Sequence, residues 1–185
     1  LRKRGGGLFG SDEFTGSIGV VTINLPQLAY LAKKEALDTS VNREDIFKSY
    51  IANTMELAKQ SLEIKRNKLN EWFDQGMYPY TKRYLHMKFK KHFNTIGLVG
   101  MDEALLNLIG EDLTSVEGAK LAEETLIYMR DLLVKFQAET GNLYNLEATP
   151  AESTSYRLAK HDKENYPDII AAGEADPYYT NSSQL

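Results

Sequence analysis

The chain has 185 residues, 42% of them hydrophobic and 26% charged, with a formal net charge of −4 at pH 7. This balance is globular and too acidic for a general nucleic-acid surface, and no apolar run approaches the ~20 residues that cross a bilayer as a helix. With no cysteine, disulfides and thiolate metal sites are excluded, and the three histidines (His86, His92, His161) stand too far apart for any standard zinc spacing.

The length fits one domain or a slice of a larger one. Leu1-Arg-Lys-Arg4 is basic, but Gly5-Gly-Gly7 follows where a signal peptide has its apolar core. Missing cysteine and missing targeting signals together point to the cytoplasm. Residues 1–15 are basic, then glycine-rich, and predict a mobile surface loop. The loop lacks the Gly-Lys-Ser/Thr of a P-loop and the strand that precedes a dinucleotide fingerprint.

Ile18, Val20, Val21 and Ile23 form a β-branched run between Gly16 and Pro26, as expected for a strand over 18–23 buried on both faces of a parallel sheet. Asn24 stands where that strand stops, and Pro26 opens a helix running to about Leu37. Polar residues at the carboxyl ends of parallel strands collect ligands and chemistry, so Asn24 reads either as a site residue or as a helix cap. Asn42, with Asp45 three positions on, starts a second helix. Its period runs through Phe47, Tyr50, Ile51, Met55, Ala58, Leu62, Leu69, Trp72 and Phe73 to Gly76. About 32 helical residues would span about 48 Å, long for a compact domain. The apolar stripe reads as core packing.

Residues 82–91 are basic and interspersed with aromatics, which fits a solvated edge or a phosphate-facing patch. Phe93-Asn-Thr-Ile-Gly-Leu-Val-Gly100 predicts a second strand over 95–99, followed by Met101-Asp-Glu103 and a helix to about Ile109. Ser115 begins a third long helix with Leu126, Met129, Leu133 and Phe136 on one face, ending at Gly141. Asn142-Leu-Tyr-Asn-Leu-Glu147 is the third strand. Thr149-Pro-Ala-Glu152 reads as a capping box with proline at the first helical position and Ser153, Thr154 and Ser155 in the first turn. Free amides at that helix start make it either a plain cap or an anion site. A short helix over 166–172 and a polar loop complete the chain.

Three β-then-α units thus succeed one another, each with a polar junction: Asn24, then Glu103, then Glu147 with Thr149. Successive parallel units build one mostly parallel α/β sheet or barrel, with all three junctions on one rim. Three units do not close a barrel, which again suggests a slice of a larger protein.

Four stretches together resemble the anaerobic (class III) ribonucleoside-triphosphate reductase family: Thr15-Gly-Ser-Ile-Gly-Val-Val-Thr-Ile-Asn-Leu-Pro26, Asn94-Thr-Ile-Gly-Leu-Val-Gly-Met-Asp-Glu103, Thr140-Gly-Asn-Leu-Tyr-Asn-Leu-Glu-Ala-Thr-Pro-Ala-Glu152 and Tyr178-Tyr-Thr-Asn-Ser-Ser-Gln-Leu185. The resemblance spans the whole chain and implies that 1–185 is one central segment of a single catalytic barrel domain whose parent extends on both sides. It implies a ten-stranded α/β barrel in a homodimeric glycyl-radical enzyme that removes the 2′-hydroxyl of ribonucleotides for DNA synthesis. In that family a cysteine thiyl radical abstracts the 3′-hydrogen, formate or a thiol is the reductant, and an activase with an iron–sulfur cluster and S-adenosylmethionine makes the glycyl radical.

By the same resemblance, the thiyl cysteine would precede Leu1, the glycyl-radical glycine and zinc-binding cysteines would follow Leu185, and the effector-binding part would be N-terminal. This segment would bind no metal or cofactor itself. Asn24 would be the family's active-site asparagine near the ribose. Glu103, beside Asp102, would be an acid/base carboxylate. Glu147, Thr149, Ala151, Ser153, Thr154 and Ser155 would surround the triphosphate of the ribonucleoside triphosphate substrate. The other reading is a non-catalytic nucleotide-binding or dimer-forming domain.

Overall fold

The computed structural model describes residues 14–85, 88–173 and 175–184. The first 13 positions of the glycine-rich loop lie outside them, as do His86 and Met87 in the basic stretch.

Three strands, β1 (Gly16–Asn24), β2 (His92–Val99) and β3 (Leu143–Ala148), form one parallel sheet in the order β1-β2-β3. The first crossover contains α1 (Leu25–Asp38), α2 (Arg43–Asp74) and the single turn α3 (Thr81–Tyr84). The second contains α4 (Met101–Leu108) and α5 (Val116–Thr140), and α6 (Glu152–Asn165) follows β3. The neighbouring parallel strands expected from the three β-then-α units are all present.

Local chemistry explains most boundaries. Pro26 sits in the first turn of α1, where its missing N–H costs nothing. Asn42 accepts the Glu44 amide at 2.9 Å and caps α2, which runs 32 residues. Ser115 accepts the Gly118 amide at 2.9 Å, and α5 ends on Gly141 at φ 71°, a left-handed position suited to glycine.

Helices α1, α2, α4 and α5 cover one face of the sheet, while α6 lies at the carboxyl end of the other, where Ala159 and Val99 share a small cluster. Ile23 of β1, Ile96 and Leu98 of β2 and Tyr144 of β3 pack into a continuous core with residues of α1, α2, α4 and α5. The alternate positions, Val20, Thr22 and Asn24 with Thr95, Gly97, Asn145 and Glu147, carry the other face. This corrects the expectation that β1 is buried on both faces: Val20 is 49% exposed. Leu126 likewise departs from the buried stripe of α5, at 39% exposure, while Met129, Leu133 and Phe136 are buried as expected.

Two further boundaries differ from the sequence reading. The capping box at Thr149 does not form: α6 starts at Glu152, its cap position is Ala151, and no side chain bonds there. Thr149 is engaged elsewhere, with its amide donating to Leu98 O at 3.2 Å and its hydroxyl against Thr22 Oγ1 at 3.3 Å. Nor is there a helix over 166–172. α6 ends before Tyr166, which is held at φ −136°, ψ 82° ahead of Pro167, a conformation that proline imposes on its predecessor. Ile170 then exchanges its backbone bonds with the Asn107 side chain, and Ala172 pairs with Tyr178 in an isolated bridge.

Candidate functional site at the carboxyl edge of the sheet

Parallel pairing aligns Asn24 with Val99 and Leu98 with Ala148, so all three strands end at one edge. On the face opposite the main core, near this edge, Thr22, Gly97 and Glu147 lie in one row across the sheet. A β-carbon on Gly97 would come within 1.8 Å of Thr149 Oγ1, so the missing side chain is what lets Thr149 fold over β2 to meet Thr22. Further from the edge the face remains polar: Thr95 Oγ1 lies 3.0 Å from Ser17 Oγ and donates to Asn145 Oδ1 at 2.8 Å.

Residues 178–184 form a strap across the edge. The Gly100 amide donates to Thr180 O at 2.7 Å, and Gly100 itself adopts φ 72° with Pro26 packed where a β-carbon would stand. Glu103 lies in the first turn of α4 and is 2% exposed. Both its oxygens accept the Thr180 amide, at 3.2 and 3.1 Å, and Oε2 also accepts the Thr180 hydroxyl at 2.9 Å. Burial pushes its carboxyl above the ordinary value, the Thr180 bonds oppose that rise, and the nearby Asp102 adds to it. Beside it, residues of β2, α4 and the strap enclose a cleft of about 300 Å3.

Asn24 closes the β1 end. Its Nδ2 donates to Asp162 Oδ2 at 2.7 Å, while its Oδ1 is buried with no hydrogen-bond partner among the described residues. Asp162, on α6 and 1% exposed, also accepts Gln27 Nε2 at 2.7 Å and the Tyr179 hydroxyl at 2.8 Å. Burial and the Asp162 carboxylate push the Tyr179 phenol upward, so it remains a neutral donor.

The start of α6 completes the edge. Ala151 donates its amide to Thr149 O and Ser155 donates its own to Ala151 O. The amides of Glu152, Ser153 and Thr154 have no such partner among the described residues, as expected of a helix N-terminus. Ser153 is exposed, Thr154 half-buried, and Glu152 exposed in the first turn. Ser155 is buried: its hydroxyl bonds Glu152 O at 3.0 Å and accepts Asn181 Nδ2 at 3.2 Å.

The structure therefore brings Asn24, Glu103, Thr149 and the α6 start to one edge, with half-buried Glu147 on the open face beside them. Sequence reasoning missed Thr22, Gln27 and Asp162. Nothing local marks Asp162, whose partner Asn24 lies 138 positions away. Among the described residues no three His, Asp or Glu are grouped to hold a metal ion, and no helix is long and apolar enough to cross a membrane.

A three-stranded parallel sheet with helices in its crossovers and polar groups gathered at its carboxyl edge defines an α/β protein, the edge being where such folds commonly bind ligands. Comparison with known proteins identifies the family and the fold. A sequence profile for the anaerobic ribonucleoside-triphosphate reductase family matches residues 2–185. The anaerobic ribonucleoside-triphosphate reductase of Enterobacteria phage T4 is 28% identical over 171 residues, 90% of this chain and 27% of its own length. Two crystal structures of the Thermotoga maritima anaerobic ribonucleotide reductase share the fold at 23% identity and 89% coverage of this chain. The one with dATP in its specificity site superposes with a TM-score of 0.74 over 27% of its length. The one in complex with dATP and CTP gives 0.73 over 26%. The chain belongs to the anaerobic ribonucleoside-triphosphate reductase family, and it spans about a quarter of the length of these relatives.

Proposed function

We propose that this chain is a central part of the catalytic α/β barrel of an anaerobic ribonucleoside-triphosphate reductase, and that its open sheet face lines the substrate chamber. The observation that carries this is the buried Asn24 Oδ1 at the carboxyl edge, unpartnered among the described residues, beside a polar face that α1, α2, α4 and α5 leave bare. An acceptor withheld from water needs a donor, and a ribose hydroxyl is one. In the family reading, ten strands close the barrel; β1 and β3 each have an unpaired edge among the described residues, which supports continuation on both sides.

In this reading Asn24 accepts a hydrogen bond from the ribose. The Glu152, Ser153 and Thr154 amides, at the positive end of α6, take a phosphate together with the Ser153 hydroxyl. Thr149 and Glu147 line the approach, while Ala151 and Ser155 shape the turn from behind. Glu103 anchors the strap through Thr180, and acid/base work by its carboxyl would require Thr180 to release it. The chain contains no cysteine, so the radical thiol and the cysteine-held zinc would belong to parts of the parent outside these residues, as, in the family reading, would the glycyl radical. Formate or a thiol would be the reductant, the radical S-adenosylmethionine activase the partner, and a cytoplasmic homodimer the working form.

The test is Asn24→Ala in the activated full-length enzyme. Loss of one oriented hydrogen-bonding group should lower deoxyribonucleotide formation by about 100-fold or more while thermal unfolding stays near that of the parent. Full activity in the folded variant would refute the site.

A further inference from the structure

We propose that Asp162 is the positioning residue for Asn24, fixing which end of its amide meets the substrate; the inference rests on the role given to Asn24 above. An asparagine side chain can present either its oxygen or its nitrogen, and the two ends differ little in shape. A carboxylate offers only acceptors, so Asp162 selects the nitrogen of Asn24 for itself. The reverse orientation would set two oxygens 2.7 Å apart without a proton between them. Asn24 Oδ1 is thereby turned away from Asp162, and it is this atom that is buried without a partner among the described residues.

Asp162 is itself held from three elements. Asn24 ends β1, Gln27 lies in the first turn of α1, and Tyr179 belongs to the strap. All three donors are neutral, and the exposed His161 stands off at 3.9 Å from Oδ1. The carboxylate has little freedom to rotate, because each oxygen is occupied. A hydrogen-bond acceptor, not a donor, is therefore set out toward the ligand, which selects a hydroxyl or N–H group at that point of the substrate.

The experiment uses the activated full-length enzyme, with kcat/KM for a ribonucleoside triphosphate and thermal unfolding as readouts. Asp162→Ala frees the amide and should lower kcat/KM by about 10- to 100-fold. Asn24→Asp alone places two carboxylates in one contact and should be impaired at least as much. The exchange variant Asn24→Asp with Asp162→Asn restores a donor–acceptor pair and still offers an oxygen to the substrate. It should recover about tenfold or more in kcat/KM over Asn24→Asp at a temperature where thermal unfolding shows both variants fully folded, so that the recovery reports the amide's orientation and not folding. If Asp162→Ala fails to fold, the exchange pair decides alone. Wild-type kcat/KM in folded Asp162→Ala, or no recovery in the exchange variant, would overturn the inference while leaving a defective Asn24→Ala explained. A fully active Asn24→Ala would overturn both this inference and the site.

Discussion

Single side chains at the edge are governed by what the opposite face leaves empty. Gly97 is the clearest case, since Thr149 occupies the volume that any larger residue would need. Gly97→Ala should force the Thr149 hydroxyl off Thr22 and cost about 1–3 kcal/mol of stability by overpacking. Adding Thr149→Ala should recover part of that loss in chemical unfolding, and a neutral Gly97→Ala would refute the packing. Glu103 gives a pH signature. Its folded carboxyl titrates above the ordinary 4.5, mainly through burial, so the folded state keeps a proton that the unfolded chain has already released. The associated stability is fully present below about 4.5 and is lost as pH rises through the raised folded value. Between about pH 4 and pH 7 the wild type should lose stability relative to Glu103→Gln, which has no proton to lose there. Parallel stability curves for the two proteins would contradict the assignment.

At the level of helices and strands, the sequence was legible wherever a local signal decided the outcome. Asn42, Ser115 and Gly141 end or begin helices by bonds to residues within four positions, and α2 follows an apolar period that needs no partner to be read. Thr149 shows the limit. Its spacing to Glu152 is that of a cap, yet strand β2 and Thr22, distant in sequence, claim its amide and hydroxyl first. The polar half of α2 was equally hidden. Arg66 is buried and donates to Phe89 O at 2.9 Å, His92 O at 2.6 Å and Asn94 Oδ1 at 3.0 Å, while Glu63 accepts from Asn94, Asn142 and Tyr144. This cluster ties α2 to the amino ends of β2 and β3, opposite the candidate site. Arg66→Ala would strand these buried acceptors and should cost about 3 kcal/mol or more. A loss below about 1 kcal/mol in denaturant unfolding would mean that water replaces the guanidinium. The start of α6 makes a second prediction at this scale. Ser153→Glu adds a carboxylate beside the free amides and should weaken nucleotide binding by the full-length enzyme about tenfold, or ~1.4 kcal/mol. Folding should be unaffected, because an acidic residue suits the first turn. Calorimetric affinity unchanged in the folded variant would place the phosphates elsewhere.

Under the proposed function, both the chemistry and the surface of the whole chain on its own are those of a part. The radical reaction implied by its family needs a thiol, and none of the 185 residues carries one. The purified chain should therefore form no deoxyribonucleotide, whether or not the activase is supplied. Its surface should behave as an interface left open. A groove of about 650 Å3 runs along α5 beside β3, lined by Leu113, Leu126, Ile127 and Val134, each 39% exposed or more. β3 offers an unpaired edge beside it among the described residues. An apolar groove next to a free strand edge favours association with another chain, because pairing satisfies the backbone while apolar area leaves water. The isolated chain should self-associate with rising concentration in sedimentation experiments. Ile127→Lys should shift it toward monomer by placing a charge in the groove, without changing the helix content, since that side chain is already 43% exposed. In the full-length enzyme the same substitution should be more damaging, because there the barrel continuation would cover the groove and bury the lysine. A variant that left the isolated chain just as associated and the full-length enzyme just as stable would show that this face meets neither.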